Sequence, residues 1–287
     1  MIYFTLPGFY FNFNIINKIT NLNKKYYKFP VAFEAATGNF PYCYFNGGYN
    51  NNQGLGTLYN DFIQCGEQLN IPICFNLSNI FIEKQDFTNT QMNLILSLNE
   101  TGSNMIEFSS FPLYLYLKEK YPNYIYIFSK QAFTLCPDLS AEQIDNLILK
   151  NGVDYVSLDE RFSTDLYFLE TIKNKEKIKI AITSECNNLC SQFYNCRIQQ
   201  HKTQYDFSNF NQYYNCPSYT PYHERKPILS LEKIKEKYSI LGFSHFTLGE
   251  TIYDEKQDNF ILFFIDYFIK DEYKYKVLKE ILLEDFS

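Results

Sequence analysis

The sequence of 287 residues predicts an α/β protein, a single (β/α)8 barrel of the TIM type with a long cysteine-rich loop after strand seven. Eight short β-branched or aromatic runs alternate with longer helical patterns, in units of roughly thirty to forty residues. The runs are almost continuously apolar, as expected for strands that are buried on both faces. No linker rich in Pro, Gly or Ser divides the chain, so residues 1–287 are predicted to form one domain.

The predicted elements follow one another along the whole chain. The strands are IYFTLP (2–7), VAFEAA (31–36), PICFNLS (72–78), MIEFSS (105–110), YIYIFS (124–129), DYVSLD (154–159), KIKIAITS (177–184) and ILGFSHFTL (240–248). The helices are 12–25, 57–69, 88–99, 111–120, 140–150, 163–174, 230–238, 256–270 and 272–284. Ser140 and Ser230 each precede an apolar periodicity, and both are typical helix-capping residues.

Composition and charge exclude several classes of function. Hydrophobic residues make up 46% of the chain, which is enough for a large core. The net charge of −6 argues against a general binder of nucleic-acid backbones, which would need a basic face. The apolar run NFILFFIDYFI is too short to span a membrane and contains Asp266. The N-terminus has neither a basic leader nor a cleavage site, so we expect a cytoplasmic protein.

Four of the eight cysteines fall in one short segment, at Cys186, Cys190, Cys196 and Cys216. In a reducing cytoplasm, clustered cysteines favour a metal site over disulfides. Thiolate ligands suit a [4Fe–4S] cluster or, alternatively, a zinc ion. The paired CxxC pattern of zinc ribbons is absent, which favours the cluster. Free or disulfide-bonded cysteines remain a further alternative, and Cys196 is the weakest of the four candidate ligands.

The candidate catalytic residues are charged or titratable side chains near predicted strand ends. Arg197 and His201 are four residues apart, so on a helical turn they would share one face. There His201 could move a proton and Arg197 could hold an anionic group, although a polar surface turn is the alternative. Glu107 and Glu34 have apolar neighbours, and burial would raise the pKa of such carboxyls. His245 is expected to line the barrel. Further polar residues near strand ends are Asn76, Asp159 and Glu185.

The segment after strand seven carries a family resemblance. It reads E-C-x3-C, then R-x3-H, then a later Cys-Pro, and the chain closes with the strand GFSHFTLGE. This pattern resembles the collagenase-like peptidase family U-32. The resemblance implies a barrel that holds a [4Fe–4S] cluster on four cysteines and, in several members, oxygen-independent hydroxylation. The sequence departs from the family in its tighter cysteine spacing and in Thr247-Leu248-Gly249-Glu250, which replaces a basic end of the closing motif.

Together these features predict a redox-linked modifying enzyme that acts on a small molecule or peptide. Its catalytic residues would be His201, Glu107 and Arg197, and its partner would be an electron-transfer protein or a paired barrel subunit. Nucleic acid and membrane are not expected partners. Two alternatives stay open: a non-catalytic, cluster-binding subunit of a heteromeric enzyme, and a zinc-stabilised, peptidase-like hydrolase.

Overall fold

The computed structural model describes residues 1–9, 12–39, 45, 68–135, 138–183, 195–196, 198, 201, 227–248 and 257–283. Within these residues, eight parallel strands pair in chain order, and β8 pairs with β1 to close a barrel. The predicted (β/α)8 class is therefore confirmed. The strands are β1 Ile2–Pro7, β2 Val31–Gly38, β3 Ile73–Leu77, β4 Met105–Phe108, β5 Ile125–Phe128, β6 Tyr155–Leu158, β7 Ile178–Ala181 and β8 His245–Thr247.

Helices cover the outside of the barrel. The α-helices are α1 Phe13–Asn21, α2 Thr90–Leu98, α3 Phe111–Lys120, α4 Ala141–Asn151, α5 Glu160–Thr164, α6 Leu166–Thr171, α7 Leu231–Lys233, α8 Ser239–Leu241, α9 Gln257–Phe268 and α10 Lys274–Leu283. A π-helical turn, Ile234–Tyr238, joins α7 to α8. Short 3-10 turns lie at Lys24–Tyr26, Lys84–Thr88, Lys130–Leu135, Lys175–Lys177 and Asp271–Tyr273. Of the described helices, none is long and apolar enough to cross a membrane.

Two of the differences between predicted and observed elements have clear local reasons. The helix predicted over 163–174 is two helices, because Asp165 accepts a hydrogen bond from the Phe168 N–H and starts a second helix there. The strand predicted over 240–248 begins only at His245, because Ser239–Leu241 is helical and Gly242 ends that helix with φ = 102°. Most of the helix predicted over 57–69 lies outside the described residues.

The core has an outer layer, between the strands and the helices, and an inner layer inside the barrel. The layer to which a strand residue belongs shows which face of the barrel its side chain is on. The outer layer packs strands against helices and includes Phe108, whose ring stacks on Tyr114 at 4.6 Å. The inner layer lies inside the barrel and is a small cluster of Ala35, Cys74, Met105 and Ile127. Side chains alternate along a strand. A residue two positions before or after a member of the inner cluster on the same strand therefore also points into the barrel.

A β-bulge in β2 adds one residue to the barrel interior. Phe4 pairs with Phe33 and Thr5 pairs with Ala35, so Glu34 is the extra residue opposite β1. Bulges redirect side chains and occur often beside functional sites. Here the bulge lets the Glu34 side chain reach partners from β1, β7 and β8.

Candidate functional site

Glu107 lies near the carboxyl end of β4, and its side chain is buried inside the barrel. Its Oε1 accepts a hydrogen bond of 2.7 Å from Ser129 Oγ, directly after β5. Ser129 Oγ in turn accepts the N–H of Gln131 at 3.2 Å. The backbone therefore orients the Ser129 hydroxyl so that its proton points to Glu107.

The surroundings of Glu107 favour its protonated form. Burial raises the pKa of this carboxyl. The hydrogen bond from Ser129, the charges of Lys130 and Lys179, and a hydrogen bond from the Lys130 backbone oppose the rise only in part. A neutral carboxylic acid keeps one O–H, so it donates a proton or a hydrogen bond. The prediction that burial raises the pKa of Glu107 agrees with this structure.

Two ion pairs lie directly after β5 and β6, at the same end of the barrel as Glu107. Lys130 Nζ lies 3.1 Å from Glu160 Oε1, and both side chains are buried. Asp159 pairs with the Arg161 guanidinium and also caps α5 by accepting the N–H of Arg161 at 2.9 Å. We call this end of the barrel, formed by the carboxyl ends of the strands, the C-terminal mouth. Active sites of such barrels lie at this end.

The structure places His201 on the side of the C-terminal mouth. His201 is fully buried, and its ring contacts Phe81 edge to face at 6.5 Å. Phe81 follows β3, and β3 pairs with β4 so that Asn76 lies beside Glu107. His201 and Glu107 are therefore associated with neighbouring strands at one end of the barrel. The structure gives no direct contact between them.

The predicted metal ligands are described only in part. Cys196 lies in a helical turn and is partly exposed, five residues before His201. Cys186, Cys190 and Cys216 lie outside the described residues, as does Arg197. The four-thiolate ligand set therefore stays a prediction. His201 belongs to the same cysteine-rich segment and contacts Phe81, which follows β3, so it places this part of the segment near the C-terminal mouth.

A second polar cluster occupies the opposite half of the barrel interior. Glu34 Oε1 lies 2.5 Å from Lys179 Nζ, and Glu34 Oε2 lies 2.6 Å from His245 Nδ1. Thr5 Oγ1 donates to Glu34 Oε1 at 3.0 Å and lies 3.1 Å from Lys179 Nζ. His245 is the first residue of β8 and Lys179 the second of β7, so this N-terminal cluster lies toward the amino ends of the strands.

Aromatic rings enclose the N-terminal cluster, and its charges keep Glu34 ionised. Tyr3 stacks on His245 at 5.1 Å, and Tyr155 meets the same imidazole edge to face at 5.1 Å. The prediction that burial raises the pKa of Glu34 is wrong: burial alone would raise it, but Lys179 and His245 outweigh burial and hold the pKa at about 2. His245 lines the barrel, as predicted. Sequence reasoning missed Lys179, although it is a charged residue within the apolar run KIKIAITS.

The comparisons with known proteins bear on the fold. No protein-family model and no curated protein matches the sequence. A solved structure described as the U32 peptidase Mk0906 has a TM-score of 0.54 and 11% sequence identity, over 88% of this chain and 93% of that one. At this identity the similarity concerns the fold alone. The predicted resemblance to the U-32 family is thus confirmed at the level of the fold: the barrel of this chain is similar to that of a U32 peptidase.

Proposed function

We propose that this chain is an enzyme whose chemistry takes place at the C-terminal mouth, with Glu107 as the proton donor. One observation carries the proposal: Glu107 is buried, is bonded to Ser129, and has a raised pKa at the end of the barrel where active sites lie. A neutral acid in such a place can protonate a substrate oxygen or nitrogen. His201 is the second candidate for proton transfer at this end.

The reaction class that we propose is redox-linked modification of a small molecule or peptide, such as oxygen-independent hydroxylation. Cys186, Cys190, Cys196 and Cys216 would hold a [4Fe–4S] cluster, because four thiolates are the donor set that such clusters use. A bound cluster supplies or accepts single electrons. Arg197 would contact the substrate beside the cluster. The proposal requires an electron-transfer partner or a paired barrel subunit, and a reducing cytoplasm is the expected location.

The cofactor is tested by anaerobic purification of the full chain. We expect a brown protein with about four irons per chain. The variants Cys186→Ala and Cys216→Ala should lose the colour and the iron. Cys74→Ala is the matched control, because Cys74 belongs to the inner core cluster on β3, and it should keep both. A colourless wild-type protein with one zinc would contradict the cluster.

The zinc outcome would favour a second candidate, a zinc-stabilised hydrolase that acts on peptides. The observation behind this candidate is the similarity of the fold to that of a U32 peptidase. A brown protein that is active only when a second barrel is added would instead identify a non-catalytic, cluster-binding subunit.

The protonation of Glu107 is tested by infrared spectroscopy at neutral pH. The wild-type protein should show the carbonyl band of a protonated carboxylic acid, and Glu107→Gln should remove this band. Glu34→Gln is the matched control, because the pKa of Glu34 is held at about 2 and an ionised carboxylate does not contribute to the band. A band that persists in Glu107→Gln would contradict the role of Glu107 as proton donor.

A further inference from the structure

Several buried oxygen atoms at the C-terminal mouth have no hydrogen-bond partner in the described part of the chain. One is the amide Oδ1 of Asn39, directly after β2. Four others are hydroxyls at or directly after the end of a strand: Thr37 in β2, Ser78 after β3, Ser109 after β4 and Thr247 in β8. Thr37 and Ser78 are at most 1% exposed. These four residues are called the hydroxyl ring below.

The alternation of side chains shows that the hydroxyl ring faces the barrel interior. Each of its members directly follows a residue of the outer core layer: Ala36, Leu77, Phe108 and Phe246. Since successive side chains of a strand point to opposite faces, the next residue points inward. The ring therefore lies around the same end of the barrel as Glu107, from four of the eight strands.

Unpartnered buried hydroxyls are costly, and folded proteins normally pair them. Four such groups at one end of the barrel are therefore the mark of a ligand that supplies the missing bonds. A hydroxyl both donates and accepts one hydrogen bond or more, and a polyhydroxylated molecule offers the same pairing from its own side.

The charges of the mouth indicate what charge this ligand has. Lys130 pairs with Glu160, and Arg161 pairs with Asp159. Burial raises the pKa of Glu107, which disfavours a negative charge there. The described side chains of the mouth therefore offer hydrogen bonds without an uncompensated charge, and an uncharged ligand loses the least solvation free energy on entering such a site.

We infer that the C-terminal mouth binds an uncharged, polyhydroxylated small molecule, a polyol or a sugar, through the hydroxyl ring. This inference rests on the proposed function for the place of the chemistry and adds the ligand class. The ring would orient the molecule so that one of its oxygens approaches the acid proton of Glu107.

The test is isothermal titration calorimetry of the purified full chain with myo-inositol, ribose and glucose, and with gluconate as the anionic comparison. We expect saturable binding of at least one of the three uncharged probes. Thr37→Val and Ser78→Ala should each weaken it roughly five-fold, as expected for the loss of one hydrogen bond. Ser239→Ala is the matched control: Ser239 Oγ is also buried without a partner in the described residues, but it lies on α8. Its loss should leave binding unchanged.

Three results would overturn the inference. The first is that no uncharged probe shows saturable binding. The second is that the wild type and the two ring variants bind a probe equally well. The third is that gluconate binds more tightly than glucose. If water fills the ring, Thr37→Val will lower the melting temperature and no probe will bind, which also overturns it. The titration needs no turnover, so a protein that binds a polyol but holds no iron would contradict the proposed redox function and leave this inference standing.

Discussion

The two polar clusters inside the barrel contain the same residue type with pKa values shifted in opposite directions. In the N-terminal cluster, Lys179 and His245 bond to the Glu34 carboxylate and lower its pKa to about 2. At the C-terminal mouth, burial raises the pKa of Glu107, and its hydrogen bond from the uncharged Ser129 hydroxyl opposes this only in part. Both carboxyls are buried, so their partners decide their charge.

This difference suggests that the two ends of the barrel have different roles: the N-terminal cluster stabilises the fold, and the C-terminal mouth is the place for chemistry. The N-terminal cluster satisfies its charges with short contacts, which is what a structural element needs. The mouth keeps a buried carboxyl with a raised pKa and unpartnered hydroxyls, which stabilise nothing by themselves. Such groups are expected where a ligand completes the site.

The largest expected effect comes from Glu34→Gln. The amide leaves the Lys179 ammonium buried without a carboxylate, and breaking a buried ion pair in this way costs about 3–5 kcal/mol. Urea unfolding at neutral pH measures the loss. Lys274→Met is the control, because Lys274 bonds to Asp266 and Asp271 at the surface and its removal should cost less than about 1 kcal/mol. Equal losses in the two variants would show that the N-terminal cluster is not a structural ion pair.

Acid should weaken the protein through the same carboxyl. The pKa of Glu34 is about 2 in the folded chain and 4.5 ordinarily. Since the folded pKa is the lower one, its contribution is fully present above pH 4.5 and is lost as the pH falls toward 2. The full loss is roughly 3 kcal/mol.

Unfolding by urea at a series of acid pH values measures this loss. Lys179→Met should flatten the dependence, because the Lys179 charge is the largest of the influences that lower the pKa of Glu34. If the free energy of unfolding of this variant falls by the same amount at acid pH, the loss is due to carboxyls other than Glu34.

The fold was predictable because its signals are local. Eight apolar runs and their intervening periodicities are enough to define the order of strands and helices, and the helix predicted at 111–120 has the observed bounds. The boundary errors came from single residues, such as Asp165, which starts a new helix, and Gly242, which ends one.

The site was predictable only in part, because its geometry depends on register. Glu107 stood out as a carboxylate among apolar residues. Its bond to Ser129 depends on the pairing of β4 with β5. The contact of Glu34 with Lys179 joins residues 145 positions apart across a closed barrel and requires a bulge. The hydroxyl ring joins four strands, and each of its serines or threonines looks ordinary in the sequence.

A smaller effect is expected for Ser129→Ala. The change removes the hydrogen bond to Glu107 and leaves the Gln131 N–H without its partner. A buried donor without a partner costs about 1–3 kcal/mol. Because the Ser129 bond lowers the pKa of Glu107, its loss should also raise that pKa further.

Urea unfolding measures the cost of Ser129→Ala, and the carboxylic-acid infrared band followed against pH measures the pKa. Ser97→Ala is the control, since Ser97 Oγ bonds only to its own helix at the surface. If the band in Ser129→Ala disappears at a lower pH than in the wild type, the hydrogen bond from Ser129 does not lower the pKa of Glu107.

The smallest effect is expected for Glu107→Gln, the same substitution that is the most damaging at Glu34. The amide has the shape of the protonated acid, keeps an oxygen that accepts the hydrogen bond from Ser129, and leaves no buried cation without its partner. The free energy of unfolding near pH 4 should therefore change by less than about 1 kcal/mol.

Because the folded pKa of Glu107 is higher than its ordinary value of 4.5, its contribution to stability is present below pH 4.5 and is lost as the pH rises through the folded pKa. Glu107→Gln should therefore remove this alkaline loss, and unfolding by urea at increasing pH would measure it. A loss at pH 4 as large as that of Glu34→Gln would mean that Glu107 is ionised in the barrel, and the contrast between its two ends would not hold.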